Sequence, residues 1–332
     1  MRHISAAALT FAATLLLFAP GQAAAKPALV ELRVEGPEST LDPGTWYVTG
    51  TERVRRAKPG DDCDARKGTR RFAGRNALGL LGSADDWNRK LRPVRFRDTD
   101  FGPQVCQIGR LRSFGHYPNA SGGFLYWTDF VSGFSSPDVA TLKNGQSVLW
   151  YHATFPSDPP QGGEPEINTG QALELRGVPA RDADGEFVAR VVIHDFDGTP
   201  SPVDDAVIQG ASSATSLGNG RYRVTVGKGT SVLTAERGAD VRSNHVEACS
   251  KPKLGRCPRA HGKRIVGSSR GDELRGTRGF DQIESGAGAD VVNLRKGGRD
   301  RVSCGPGRDV VRVDRGDRDD RIAGNCERLR RS

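Results

Sequence analysis

The stretch Gly267-Ser-Ser-Arg-Gly-Asp-Glu-Leu-Arg-Gly-Thr-Arg-Gly-Phe-Asp-Gln-Ile-Glu-Ser-Gly-Ala-Gly-Ala-Asp-Val-Val-Asn293 decides the fold of its region. Asp, one residue, then an aliphatic residue recur in it as Asp272/Leu274, Asp281/Ile283 and Asp290/Val292. The beat continues through Asp300/Val302, Asp309/Val311 and Asp320/Ile322, in steps of 9, 9, 10, 9 and 11 residues. Glycine stands two residues before the Asp at Gly279, Gly288, Gly298 and Gly307. A short fixed period marks a solenoid. Each unit supplies one tight turn and one short strand, and stacked aliphatic residues make a core no single unit can build. Turns on one side lie two units apart. Asp272, Asp290 and Asp309 therefore share one edge, and Asp281, Asp300 and Asp320 the other.

These residues resemble the nonapeptide Gly-Gly-x-Gly-x-Asp-x-aliphatic-x of repeats-in-toxin (RTX) proteins, over roughly residues 262–326. The resemblance implies a parallel β-roll with calcium held between turns by Asp272, Asp281, Asp290, Asp300 and Asp309 and by main-chain carbonyls. A hard cation accepts six to eight oxygen ligands in irregular geometry. Several units depart from the pattern: Arg270 and Arg318 stand where a turn glycine belongs. Residues 262–332 also carry 17 Lys+Arg against 12 Asp+Glu. The alternative is a metal-free roll in which guanidinium groups pair with the aspartates. The best-formed turns precede Asp281, Asp290 and Asp309.

The chain has 332 residues and a net charge of +9. Residues 1–25 read as a secretion signal: Arg2, the apolar stretch Ala6–Ala19, and Ala23-Ala-Ala25 as cleavage site. No second apolar span follows, so the expectation is an exported protein without a transmembrane segment after cleavage, extracellular or held at the cell surface. In an exported chain, six cysteines read as three disulfides. Their clustering suggests Cys63–Cys106, Cys249–Cys257 and Cys304–Cys326; a zinc site at Cys249/Cys257 lacks the supporting Cys-x-x-Cys or His pair. The positive balance allows contact with a cell-wall or other extracellular polymer. Basic and acidic residues alternate, however, which reads as a solvated surface and argues against nucleic acid.

Residues 26–155 form the first expected module. Ala28–Val34 alternates as a half-buried strand, Asn76–Asp86 is the helix candidate, and Leu142–His152 gives an Asn-Gly turn and a closing strand. Trp127, Ser132-Gly133 and Leu142–Trp150 resemble the transcobalamin-like β-grasp domain of secreted bacterial proteins, with Gln146 in place of the usual Asp. That resemblance implies small-ligand capture, a corrinoid first, on an aromatic platform of Trp127, Tyr126 and Trp150, with Tyr151 beside them. Core packing is the competing reading of those rings.

A Pro/Gly linker (156–166) precedes short strands over 167–248 that resemble a bacterial immunoglobulin-like β-sandwich. Within them Val191–Thr199 resembles the Asp-x-Asp-Gly-Thr loop of haloacid dehalogenase phosphatases, which would make Asp195 a nucleophile and Asp197 an acid/base. The helices, lysine and later magnesium ligands of such an enzyme are missing. A basic disulfide linker (249–261) leads to the roll, 262–332. The six histidines are scattered, and the common hydrolase and phosphate-loop motifs are absent. The reading is a mainly β, multidomain chain: a β-grasp-like domain, an Ig-like β-sandwich and a degenerate parallel β-roll. Its expected role is non-catalytic binding or surface interaction with calcium in the roll.

Overall fold

The computed structural model describes residues 27–57, 63, 65–72, 75–100, 102–113, 121–133, 136–139, 141–155, 171–250, 256–294, 298–315, 317 and 319–331. The expected secretion signal and Pro/Gly linker lie outside these residues. Strands dominate. The first unit holds β1 (Leu29–Glu35), β2 (Thr40–Val48), β3 (Glu52–Ala57), β4 (Ala65–Phe72), α1 (Ala77–Trp87), β5 (Val94–Thr99), β6 (Gly102–Ile108), β7 (Leu111–Arg112), β8 (Ser121–Thr128), β9 (Val131–Ser132) and β10 (Ser147–Phe155). Helix α1 starts where Asn76 caps it, its side chain accepting from the Gly79 N–H at 2.6 Å. Among the described residues no helix is long and apolar enough to cross a membrane.

In this unit β1 pairs with β2 antiparallel and with β10 parallel, and β10 pairs with β8. Alternation gives β1 two different faces. Leu32 and Val34 enter the core with Leu78, Leu81, Tyr126 and Trp150. Glu31, Arg33 and Glu35 point the other way. A second sheet, β4-β3-β5-β6-β7, is tied by the Cys63–Cys106 disulfide.

The second unit holds β11 (Ala172–Arg176), β12 (Arg181–Asp182), β13 (Glu186–His194), β14 (Pro200–Pro202), β15 (Val207–Gln209), β16 (Ser213–Gly218), β17 (Arg221–Thr225), β18 (Gly229–Glu236) and β19 (Val246–Ser250). Its two sheets, β11-β13-β17-β16 and β12-β19-β18-β15, enclose one apolar core centred on Leu173, Val191, Tyr222 and Leu233. Cys249 lies inside β19, so the strand runs past the boundary expected at residue 248.

The last unit is a two-faced roll of β20 (Arg264–Val266), β21 (Glu273–Arg275), β22 (Gln282–Glu284), β23 (Val291–Asn293), β24 (Arg301–Ser303), β25 (Val310–Val313), β26 (Arg321–Ile322) and β27 (Arg328–Arg331). Even-numbered strands stack in parallel on one face and odd-numbered strands on the other. The roll does not stand apart from the first unit. Strand β20 pairs in parallel with β2, Trp46 opposite Ile265 and Tyr47 opposite Val266, making one nine-stranded sheet. Solenoids need caps because an open end exposes both their core and their strand edges. Here the first unit covers one end. At the other end the core thins: Ile265, Ile283 and Val302 are buried, Ile322 is half-buried, and Leu329 is 47% exposed.

Candidate functional site: the aspartate ladder of the roll

The stacking register places Asp272, Asp290 and Asp309 on one edge and Asp281, Asp300 and Asp320 on the other. On each edge the same bond repeats. The main-chain N–H of Asp272 donates to Asp290 Oδ1 (2.9 Å), that of Asp290 to Asp309 Oδ1 (2.9 Å), and that of Asp309 to Glu327 Oε2 (2.8 Å). On the second edge Lys263 donates to Asp281 (2.7 Å), Asp281 to Asp300 (3.0 Å) and Asp300 to Asp320 (3.1 Å). Each of these accepting carboxylates, all but that of Asp272, thus satisfies the amide of the turn stacked before it, a group that would otherwise be buried unpaired. No described Arg or Lys makes an ion pair with these six aspartates, although Arg270 and Lys263 lie near enough to Asp272 and Asp281 to favour their charged forms. Backbone amides take one oxygen of each carboxylate instead.

The second oxygen divides the rungs into two kinds. Four residues before Asp272 and Asp281 stand Ser268 and Thr277. Ser268 donates its N–H (2.6 Å) and hydroxyl (3.0 Å) to Asp272 Oδ2. Thr277 donates its N–H (2.6 Å) to Asp281 Oδ2, with its hydroxyl 2.9 Å from Oδ1. Four residues before Asp290 and Asp309 stand Gly286 and Gly305, which carry no hydroxyl. Asp290 Oδ2, Asp309 Oδ2 and Asp300 Oδ2 are buried without a hydrogen-bond partner among the described residues. The three residues are 0% exposed. The well-formed turn before Asp281 therefore differs in kind from those before Asp290 and Asp309.

Glycine is required at those two turn positions by both conformation and space. Gly286 and Gly305 have φ of +99° and +102°, which side chains resist. A Cβ at Gly286 would strike the Ser268 carbonyl oxygen, and one at Gly305 the Gly286 carbonyl oxygen.

Burial raises the carboxyls of Asp272, Asp281, Asp290 and Asp320 above the ordinary range. Asp300 is pushed furthest, to about 7, by burial first and then by Asp281 and Asp320. Glu327, at the open end, is lowered instead, because its carboxylate accepts from Asp309.

An unpartnered, buried carboxylate oxygen is a costly group that a cation would satisfy. Among the described residues no three His, Cys, Asp or Glu side chains converge on one point. A cation here would take one carboxylate oxygen per rung and draw its other ligands from main-chain oxygens and water. That donor set suits calcium, which accepts many oxygens, and does not suit zinc. The cysteines are committed elsewhere, to Cys63–Cys106, Cys249–Cys257 and Cys304–Cys326.

The remaining candidate residues fall outside this site. Trp127, Trp150 and Tyr126 are 0%, 1% and 5% exposed, and Tyr151 is 2%. They form no platform open to solvent. Trp150 and Tyr126 belong to the first unit's core, while Trp127 donates to the Tyr151 hydroxyl (3.1 Å) beneath the second unit. The Asp-x-Asp-Gly-Thr segment is a docking loop: the Phe196 carbonyl accepts from Ser132 N–H (2.9 Å), and its ring stacks on Trp127. Asp195 accepts from Gln171 and Asp197 from the Thr199 N–H.

Glu327, Ser268 and Thr277 carry roles that the sequence pattern left unassigned. Glu327/Leu329 continues the Asp/aliphatic beat with Glu in the first place. Ser268 and Thr277 occupy the position that holds glycine in the turns before Asp290 and Asp309.

Compared with protein-family models, residues 266–298 match the RTX calcium-binding nonapeptide repeat (4 copies). No curated protein and no solved structure matches the chain.

Proposed function

We propose that this chain is an exported, non-catalytic extracellular binding protein whose roll is ordered by calcium. One observation carries the reading: the orphaned buried oxygens of Asp290, Asp309 and Asp300, in a segment whose repeats match a calcium-binding family. Asp290 and Asp309 hold the ion at the first edge, and Asp300 at the second. Bound calcium supplies positive charge where ionised carboxylates stack. Asp272 and Asp281 are served by Ser268 and Thr277 and need no ion. The three disulfides fit an oxidising compartment. Millimolar calcium outside a cell makes weak sites useful, and coupling of metal binding to folding would complete the roll after export.

The β-grasp reading of the first unit draws support from the sheet order β2-β1-β10-β8, with β1 and β10 parallel at its centre. Corrinoid capture on Trp127, Tyr126 and Trp150 draws none, because those rings are buried.

Isothermal titration of the full chain with calcium tests the proposal. The expected result is saturable heat that Asp290→Asn and Asp309→Asn each weaken, while Asp272→Asn leaves it nearly unchanged. Absence of heat, or equal loss from all three variants, would refute the assignment.

A further inference from the structure

Where the three units meet, Glu31, Arg33 and Glu35 of β1 face the second unit instead of solvent. Glu35 is fully engaged on one side. Its Oε2 accepts from the Thr40 hydroxyl (2.7 Å) and pairs with Arg242 (3.1 Å), which also donates to the Gly36 carbonyl (2.6 Å). Arg33 is different. It is 5% exposed, yet its Nε and Nη2 have no hydrogen-bond partner among the described residues. Its ion pair with Glu35 Oε1, at 3.7 Å, is too long for a hydrogen bond, and that oxygen accepts none among the described residues. A buried guanidinium is normally held by bidentate partners, and leaving one unbonded is costly.

Arg33 also lines a cavity of about 180 Å³ whose walls include Glu31, Phe130, Glu174, Asn244 and His245. Most of these walls are already committed. Glu174 accepts from His194 (2.8 Å) and from Arg176, Asn244 is bonded to the backbone of Leu175, and His245 lies 3.1 Å from the Thr40 hydroxyl. The Phe130 ring is fixed by stacking on His194, centroids 4.2 Å apart. The Glu31 carboxylate makes no hydrogen bond or ion pair among the described residues. Two opposite charges two positions apart on one strand face thus line one pocket, Arg33 with hydrogen-bond donors unused and Glu31 without a hydrogen bond. A neighbouring trough of about 450 Å³ shares Glu31, Asn244 and His245 with this pocket and reaches Trp46 and Lys263.

We propose that this junction pocket binds a small zwitterion of the free α-amino-acid class, its carboxylate on Arg33 and its ammonium on Glu31, with its side chain toward the trough. A simple anion fits less well, because Glu31, Glu35 and Glu174 surround the guanidinium. A simple cation would leave Arg33 unbonded. The pocket is built from the β1 face and the second unit and is independent of the calcium ladder.

The test is calorimetric titration of the full chain, calcium present, with L-alanine, L-leucine and L-phenylalanine. Isocaproate and isoamylamine, which each keep one charged end of leucine, are the controls. The expected result is saturable binding of at least one amino acid, with either single-charge control weaker by about tenfold or more. Glu31→Gln should weaken the amino acid and leave isocaproate unaffected. Arg33→Met should abolish binding and lower the thermal midpoint, since Glu31 and Glu35 lose the positive charge beside them. Three results would each overturn the proposal: no saturable heat from any of the three amino acids, isocaproate binding as tightly as leucine, or binding untouched in folded Arg33→Met. The first would leave water as the occupant.

Discussion

The main-chain N–H of Asp290 donates to Oδ1 of Asp309, 2.9 Å away, and the other oxygen of Asp309 meets no partner among the described residues. One carboxylate thus does two separable things: it closes the backbone of the neighbouring turn, and it offers a free oxygen to a cation. Asp309→Ala removes both and leaves a buried N–H unpaired, at a cost of about 1–3 kcal/mol in chelator. Asp309→Asn retains an acceptor for that N–H. It should cost less in chelator and still lose most of the calcium-dependent gain. Chemical denaturation with and without calcium separates the two effects.

Thr277→Gly is the reciprocal experiment. It strips the hydroxyl from Asp281 but keeps the main-chain N–H of residue 277 on Oδ2. The variant should be less stable in chelator by about 1 kcal/mol and bind no more calcium than the parent. A gain of a calcium site in calorimetry would show that the hydroxyl, and not the N–H, is what satisfies this rung.

Acidity should act on the empty and loaded roll in opposite directions. Burial raises the folded-state carboxyl of Asp300 to about 7, and those of Asp272, Asp281, Asp290 and Asp320 in the same direction. The folded state then holds more protons than the unfolded one, so stability in chelator falls as pH rises from the ordinary carboxyl range, about 4, toward 7. Calcium competes with those protons. Its affinity should fall as pH drops below about 7, the Asp300 value. Thermal midpoints across this range, in chelator and in calcium, give two curves of opposite slope.

The open end of the roll depends on a staple. Ile322 and Leu329 are poorly covered, and Cys304–Cys326 ties the last rung to the buried one before it across a separation of 22 residues. Replacing both cysteines with serine should cost about 3 kcal/mol. Hydrogen exchange should show β26 and β27 opening first.

The first and second units are joined by a buried ion pair. Glu35 is 2% exposed. Arg242→Ala removes one partner but leaves Arg33 at 3.7 Å and the Thr40 hydroxyl on Glu35, and should cost about 1–3 kcal/mol. Arg242→Ala with Glu35→Gln should recover much of that loss, which a double-mutant cycle by denaturation measures.

Much of this was legible in the chain. The Asp/aliphatic beat fixes which residues point inward, so the two edges of the roll follow from spacing alone. The local cysteine pairs and the Asn76-capped helix follow from similarly local rules. What sequence could not give is which surfaces meet. Glu31-Leu-Arg-Val-Glu35 alternates like a strand with one wet face, yet the second unit covers that face. The joining of β20 to β2 is equally invisible, because two short parallel strands far apart in the chain carry no local mark of their pairing. The aromatic residues Trp127, Tyr126 and Trp150 read as a platform only until neighbouring elements are in place. Glu327 hides in the pattern because Glu, not Asp, precedes Leu329 at this repeat position.

Hydrogen exchange on the full chain, compared between calcium and chelator, tests the central claim most directly. The account predicts slowed exchange in calcium at the turns over residues 285–290 and 304–309, with little change at 267–272 and 276–281. Identical exchange at all four turns in the two conditions would contradict it.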